Sequence, residues 1–338
     1  MPAPEVSVLM PVRDAAPTLR SALRSLERQT LRNFEIVTVD DGSCDGSAEL
    51  LEAWSRRDSR LRLLRRPAEG LVPALEAGRR ACRAPLIARM DADDAALPRR
   101  LELQTRALAA RPDLAGVACR IRCFPRARIA GGFRAYEAWL NSLLEPEEIV
   151  RERFIESPLV HPSVTVRRAV LESVGGYREA GWAEDYDLWL RLMQRGERFA
   201  KLPQILHLWR DHAGRETRVN PRYGKREFLA AKAHFLARGP LAEADRLILW
   251  GAGPTGRGLA KALRAEGLVA DAFVDIDAKK VGRSPGGVPV YGLAELPRLW
   301  REGTRVVIAV ARRGARESIR PHLARWGLKE GEDAWFAA

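Results

Sequence analysis

Two apolar strands that end in carboxylates constrain this chain more than any other feature. Phe34 to Val39 is a β-prone run that stops at Asp40-Asp41-Gly42-Ser43, and Leu86 to Met90 stops at Asp91-Ala92-Asp93-Asp94. Continuous apolar runs of this length suit strands buried on both faces. Val6 to Val12 is a third such run, and Leu61 to Leu64 a shorter one. Between them lie helical patterns: Ala16 to Gln29, with Leu19, Leu23 and Leu26 on one face, then Ser47 to Arg57 and Leu71 to Arg80. Alternation of strand and helix predicts an α/β chain whose sheet is parallel and covered by helices on both faces. Ligands of such sheets sit at the carboxyl ends of the strands. Two strand ends here are acidic, which is the first functional signal.

From about residue 125 to 160 the pattern changes to Arg-rich, Gly-containing and aromatic segments around the acidic patch Glu145 to Glu148. Helices are expected at Arg168 to Val174 and Glu184 to Gln194, the latter with Leu188, Leu192 and Met193 inward. Residues 215 to 240 are strongly charged. A fresh start follows, with a strand at Leu247 to Trp250, the glycine loop Gly251-Ala252-Gly253-Pro254-Thr255-Gly256 and a helix at Arg257 to Glu266. A strand from Ala270 to Val274 then ends at Asp275, and a later one runs from Val306 to Val310. The expected layout is a first domain over residues 1–214, a connecting helical segment over 215–244 and a smaller βαβ domain over 245–338. A chain of 338 residues accommodates two domains of ordinary size.

No run approaches the roughly 20 apolar residues of a membrane-spanning helix. The first strand begins at Val6 without a basic-then-apolar leader, so the expected location is the cytoplasm, including the inner face of a membrane. The net charge of +13 is carried almost wholly by arginine. It suits solvated faces, and it also suits an anionic membrane surface bearing a lipid-linked acceptor. No recognition motif accompanies it, so nucleic acid is not an expected partner. Cys44, Cys82, Cys119 and Cys123 form no zinc pattern and are expected to be reduced thiols.

Asp91, Asp93 and Asp94 pack three carboxylates into four residues. They repel one another unless a cation sits among them, and Mg²⁺ and Mn²⁺ prefer such oxygen ligands and also bind diphosphate. The competing reading is a solvated acidic turn before the next helix. Asp40 and Asp41 could accept hydrogen bonds from a base or ribose, or could serve as an Asx turn.

The runs Val6 to Asp14, Gln29-Thr30, Val39 to Ser47 and Ala88 to Asp94 together resemble family 2 glycosyltransferases of the GT-A fold. So do Gly175-Gly176-Tyr177 and Ala183-Glu184-Asp185-Tyr186-Asp187-Leu188-Trp189, in the same order. The resemblance spans about residues 5 to 213 and implies a GT-A mixed or parallel sheet with flanking helices. It implies that Asp41 contacts the nucleobase, with Pro11, Val12 and Arg13 lining the pocket. Asp91, Ala92 and Asp93 match the DxD motif, with Asp94 beside it, holding Mn²⁺ or Mg²⁺, ribose and diphosphate. Asp185 matches the general base, and its neighbour Glu184 is the runner-up.

His212 follows the β-like stretch Ile205 to Trp209, where similar enzymes often place a metal-binding histidine. His161, Trp139 and Trp182 are further candidates on the acceptor side. The chain departs from the family before residue 71, where Pro67-Ala68-Glu69-Gly70 replaces an Asn-Gly-Gly-like loop; Arg66 is the candidate phosphate partner there.

The last domain resembles the Rossmann-like segment of sugar-modifying acetyltransferases. The resemblance rests on Leu249 to Gly256, Val274 to Asp277 and Gly286 to Gly292. Gly251, Gly253, Gly256 and Asp275 would then hold a nucleotide or nucleotide-sugar. The overall expectation is a metal-assisted, inverting transferase of cell-envelope polysaccharide biosynthesis. It would move sugar from a nucleoside-diphosphate donor to a hydroxyl of a glycan or lipid-linked glycan. An NAD-dependent oxidoreductase run by the C-terminal domain, and a non-catalytic scaffold, are the alternatives.

Overall fold

The structure is a computed structural model that describes residues 3–338. Contacts divide the chain into two compact units. The first comprises residues 1–149, 158–180 and 184–219, and the second residues 150–157, 181–183 and 220–338. Among the described residues, no helix is long and apolar enough to cross a membrane.

The first unit opens with β1 (Val6–Val12), α1 (Ala16–Glu27), β2 (Phe34–Asp41), α2 (Ser47–Arg57), β3 (Leu61–Arg66), α3 (Leu71–Ala81) and β4 (Leu86–Arg89). Every residue of β1, β2 and β4 is buried, as their apolar runs require. The helices bury the stripes their spacing predicts, such as Leu19, Leu23 and Leu26 of α1. These meet Val8, Met10, Ile36 and Leu51 in the main core. Burying one such side chain contributes about 1.5–3 kcal/mol.

The unit continues with β5 (Ala95–Ala96), α4 (Arg100–Ala110), β6 (Leu114–Phe124), α5 (Gly131–Ser142), α6 (Pro146–Glu152, whose last three residues belong to the second unit), β7 (Thr165–Arg167), α7 (Arg168–Ser173), α8 (Glu184–Gln194), β8 (Arg198–Arg210) and α9 (Glu216–Val219). Its sheet has the order β3-β2-β1-β4-β7-β6-β8-β5. The expected parallel pairing holds from β3 to β4. It fails at β7, which runs antiparallel to both β4 and β6, so the sheet is mixed. The reason is where the chain enters. Val164 already accepts from the Arg89 backbone N–H at the carboxyl end of β4, so β7 starts at that end and must run backwards.

The turns after β1 and β2 lock together. Asp14 accepts from the Cys44 N–H at 2.8 Å, the Ala16 N–H donates to Asp45 and the Ala15 N–H to Ser47. Gly42 sits at φ 69°, and a Cβ there would lie 2.8 Å from the Ala68 nitrogen, so the turn requires glycine.

In the second unit, α10 (Lys225–Ala237) precedes β9 (Arg246–Trp250), α11 (Pro254–Ala265), β10 (Ala272–Asp275), β11 (Val290–Gly292), α12 (Leu296–Leu299), β12 (Thr304–Ile308), α13 (Ala315–Arg325) and β13 (Ala334–Phe336). The five strands lie in the order β11-β10-β9-β12-β13, all parallel. A Cβ on Gly256 would lie 1.8 Å from the Gly251 carbonyl oxygen, so α11 can approach the β9 turn only as glycine.

Candidate active site

The carboxyl ends of β1, β2 and β4 lie side by side, because β1 pairs with β2 on one edge and with β4 on the other. Sequence-distant residues therefore share one rim. Asp41 is buried at the end of β2, where its carboxylate accepts from the Glu69 N–H at 2.9 Å and the Gly70 N–H at 3.0 Å. Arg13 reaches the same carboxylate at 3.4 Å from a largely exposed position. Asp41 pairs in register with Arg66, which contacts Glu69. The 67–70 loop is thus tied to Asp41 by backbone hydrogen bonds. Beside it, Asp40 is buried with one carboxylate oxygen lacking any hydrogen-bond partner, and Arg66 has an unpartnered buried Nε. Pro11 and Val12 are buried on the neighbouring strand.

The acidic turn follows β4. One carboxylate oxygen from each of Asp91, Asp93 and Asp94 lies within 4.8 Å of the others. Three hard oxygen donors at this spacing fit a divalent cation of the Mg²⁺ or Mn²⁺ class. Burial and the neighbouring carboxylates push the pKa of Asp93 and of Asp94 above the ordinary range. Ala92 is buried, and its carbonyl accepts from the Thr18 hydroxyl at 3.1 Å, which ties the turn to α1.

Each aspartate has its own partner. His212 Nε2 lies 2.8 Å from Asp93 Oδ2, so this histidine reaches the acidic turn. Asp94 is buried; it accepts from the Arg210 N–H at 2.7 Å and pairs with His207 Nε2 at 2.8 Å. The other ring nitrogen of His207 lies 3.2 Å from the Arg100 guanidinium. A guanidinium only donates, so Nδ1 accepts and Nε2 carries the proton given to Asp94. Burial and Arg100 hold His207 well below the ordinary histidine range, so it is neutral. Asp91 pairs with Arg89 at 2.6 Å.

Glu184 and Asp185 open α8. Glu184 is buried, with Oε1 3.9 Å from His161 Nδ1. His161 Nε2 is 2.8 Å from the Tyr177 hydroxyl. Asp185 is half-buried and accepts from the Tyr186 N–H. Arg89 pairs with Asp91 of the acidic turn, and its charge acts on Tyr177 and Glu184. Its guanidinium is buried; desolvation lowers its pKa, but Asp91, Tyr177 and Glu184 outweigh that and raise it. The burial of His161, with the Arg89 charge beside it, keeps that histidine well below the ordinary range.

The structure places Pro11, Val12, Arg13, Asp41, Arg66, Asp91, Ala92, Asp93, Asp94, His212, Glu184 and Asp185 in the first unit, with His212 on the acidic turn and Glu184 and Asp185 at the start of α8. Gly251, Gly253, Gly256 and Asp275 lie in the second unit. There Asp275 accepts from the Ala252 and Asp277 N–H groups and from Lys280, so its carboxylate braces the glycine loop. A Cβ on Gly253 would meet open space. Trp139 stacks on Tyr136 within the first unit, whereas Trp182 packs on His234 in the second.

Sequence reasoning missed Arg100, His207 and Arg210, and it gave Arg89 and Tyr177 no role beyond membership of their motifs. The available signal was an arginine inside an otherwise apolar strand, since a buried cation needs a partner.

The profile of the family described as glycosyl transferase family 2 matches residues 7–175. The amylovoran biosynthesis glycosyltransferase AmsE of Erwinia amylovora is 34% identical over 193 residues, covering 56% of this chain and 68% of that protein. Among solved structures, S. aureus TarS in complex with UDP-GlcNAc superposes with a TM-score of 0.57 at 15% identity, over 78% of this chain and 73% of the other. The mannosyltransferase PcManGT from Pyrobaculum calidifontis, in complex with GDP-Man and Mn²⁺, gives 0.50 at 22% identity, over 78% and 69%. The two structural likenesses establish a GT-A type fold.

Proposed function

Because the chain belongs to glycosyl transferase family 2, it is a glycosyltransferase, and we propose that it transfers a sugar from a nucleoside diphosphate to a hydroxyl of a glycan or lipid-linked glycan, with inversion. The observation that carries this reading is the acidic turn at the end of β4, where Asp91, Asp93 and Asp94 bring carboxylate oxygens within 4.8 Å of one another and His212 meets Asp93 at 2.8 Å. The donors bound by TarS and PcManGT, and the polysaccharide named for AmsE, support the substrate classes.

In this reading the base and ribose lie against Asp41, Arg13, Pro11 and Val12, with Arg66 on the phosphate side. Asp91, Asp93, Asp94 and His212 would hold Mn²⁺ or Mg²⁺. The ion, when bound, neutralises charge building on the departing diphosphate. His207 and the Arg210 N–H orient Asp94 for that task. Asp185 takes the proton of the acceptor hydroxyl. The acceptor oxygen forms its bond to the anomeric carbon as the bond to the diphosphate breaks on the opposite face. Asp185 suits the base role better than Glu184, because it is half-buried while Glu184 is enclosed beside His161.

The deciding experiment measures Mn²⁺-dependent turnover of a panel of UDP- and GDP-sugars by wild type and Asp93→Ala, with the product anomer assigned by NMR. Loss of turnover in the variant and an inverted product support the reading. Wild-type turnover by Asp93→Ala removes the metal assignment, and a retained anomer removes the single displacement.

For the second unit we propose a nucleotide or nucleotide-sugar site at Gly251, Gly253 and Gly256, where α11 begins. Thermal-shift measurements with NAD, NADP and nucleotide sugars test it. A shift that persists in Asp93→Ala but disappears in Gly253→Val supports it, and no such shift ends it.

A further inference from the structure

Most arginines around the acidic turn are committed. Arg89 pairs with Asp91, Arg13 with Asp41 and Arg218 with Asp211, while Arg210 donates to the Asp93 carbonyl. Arg215 differs. Its guanidinium carbon lies 3.8 Å from the centre of the Trp209 ring, and among the described residues it has neither an ion pair nor a side-chain hydrogen bond. It is half-buried just beyond β8.

Its surroundings are those of the acidic turn. Trp209 precedes Arg210, whose N–H holds Asp94. The Arg215 N–H bonds to the His212 carbonyl at 3.3 Å, and the His212 ring meets Asp93 at 2.8 Å. The charge of Arg215 acts on both Asp93 and Asp94. One short loop thus delivers a metal-class histidine and an uncommitted cation to the same three carboxylates.

Stacking on an indole uses the face of a guanidinium and leaves its N–H edge available. That edge matches two oxygens of a phosphate. The charge balance asks for such a group. Arg89 already offsets Asp91, so Asp93 and Asp94 would balance a divalent ion, and a bound diphosphate would add negative charge beyond that. We propose that Arg215, held on the Trp209 face, binds the diphosphate of the donor and stabilises it as it leaves. This rests on the reading of Asp91 to Asp94 as the donor-phosphate site.

The test is calorimetric titration of wild type, Arg215→Met, Arg215→Lys and Asp93→Ala with UDP and with GDP, each with Mn²⁺, and with uridine and guanosine. Methionine keeps the apolar contact with Trp209, so the fold is expected to hold. Arg215→Met should weaken the preferred diphosphate about tenfold or more, with Arg215→Lys in between and nucleoside binding unchanged. The salt dependence of diphosphate binding should also fall. Arg215→Met binding the diphosphate within twofold of wild type overturns the proposal, as does an equal loss of nucleoside. Diphosphate binding that survives Asp93→Ala but falls in Arg215→Met overturns the metal assignment and leaves the clamp standing. A wild type that binds neither diphosphate overturns both.

Discussion

Arg89 Nη2 lies 2.6 Å from Asp91 Oδ1, with the guanidinium buried and the carboxylate partly open. This pair separates three aspartates that look equivalent in sequence. Asp91 neutralises an interior cation, whereas Asp93 is held against its like-charged neighbours. Asp91→Ala should therefore destabilise the protein by about 3 kcal/mol, since it strands a buried charge. Asp93→Ala should leave the melting temperature unchanged or raise it. Both should lose metal-dependent turnover. Calorimetry beside activity assays checks this, and equal melting temperatures for the two variants would refute the division.

His207 should act through Asp94. It sits fully buried between Arg100 and that carboxylate. His207→Gln should raise the Mn²⁺ concentration for half-maximal turnover by roughly 10- to 100-fold, the usual cost of losing an outer partner of a metal ligand. Saturating Mn²⁺ should restore most of kcat. A variant that titrates like wild type would make His207 a packing residue alone.

The two acidic residues that open α8 should part in kinetics. Asp185→Asn should lower kcat by about 10²- to 10⁴-fold while donor KM stays near wild type. Glu184→Gln, which alters a buried contact with His161, should act more on stability than on the kcat–pH profile. A larger kcat loss in Glu184→Gln would exchange the roles.

Glu35 gives the fold a pH dependence of known sign. Burial raises its pKa, but the Ser7 hydroxyl, the Arg83 N–H and the guanidiniums of Arg62 and Arg83 outweigh it, and the net shift is downward from 4.5. The folded state then binds fewer protons than the unfolded state between the two values. The contribution is complete above the unfolded pKa and is lost as pH falls through the folded one. Melting temperature should fall more steeply in wild type than in Glu35→Gln between about pH 5 and pH 3. Parallel curves would mean that Glu35 is not the group responsible.

Much of the fold was legible because the code for it is local. The apolar runs at Val6, Phe34 and Leu86 can only be buried strands, and Leu19, Leu23 and Leu26 can only face a core. The positions of the acidic turn after β4 and of the glycine loop after β9 were legible too, while the roles of Asp91 to Asp94 and of Glu184 and Asp185 were assigned only through the family resemblance. The reversed direction of β7 was not, because it depends on where the chain re-enters the sheet and not on the three residues of the strand.

The sequence by itself determined which segments are strands and helices, where carboxylates gather at strand ends, and which family the motifs resemble. Tertiary structure alone decided which carboxylate has which partner. Asp94 meets His207 across 113 positions and Asp93 meets His212 across 119. Arg89 is joined to Asp91 locally, whereas His161 meets Tyr177 and Glu184 only because the fold brings their segments together. Periodicity records burial residue by residue, but a hydrogen bond needs two groups within about 3 Å, and no local pattern encodes that distance.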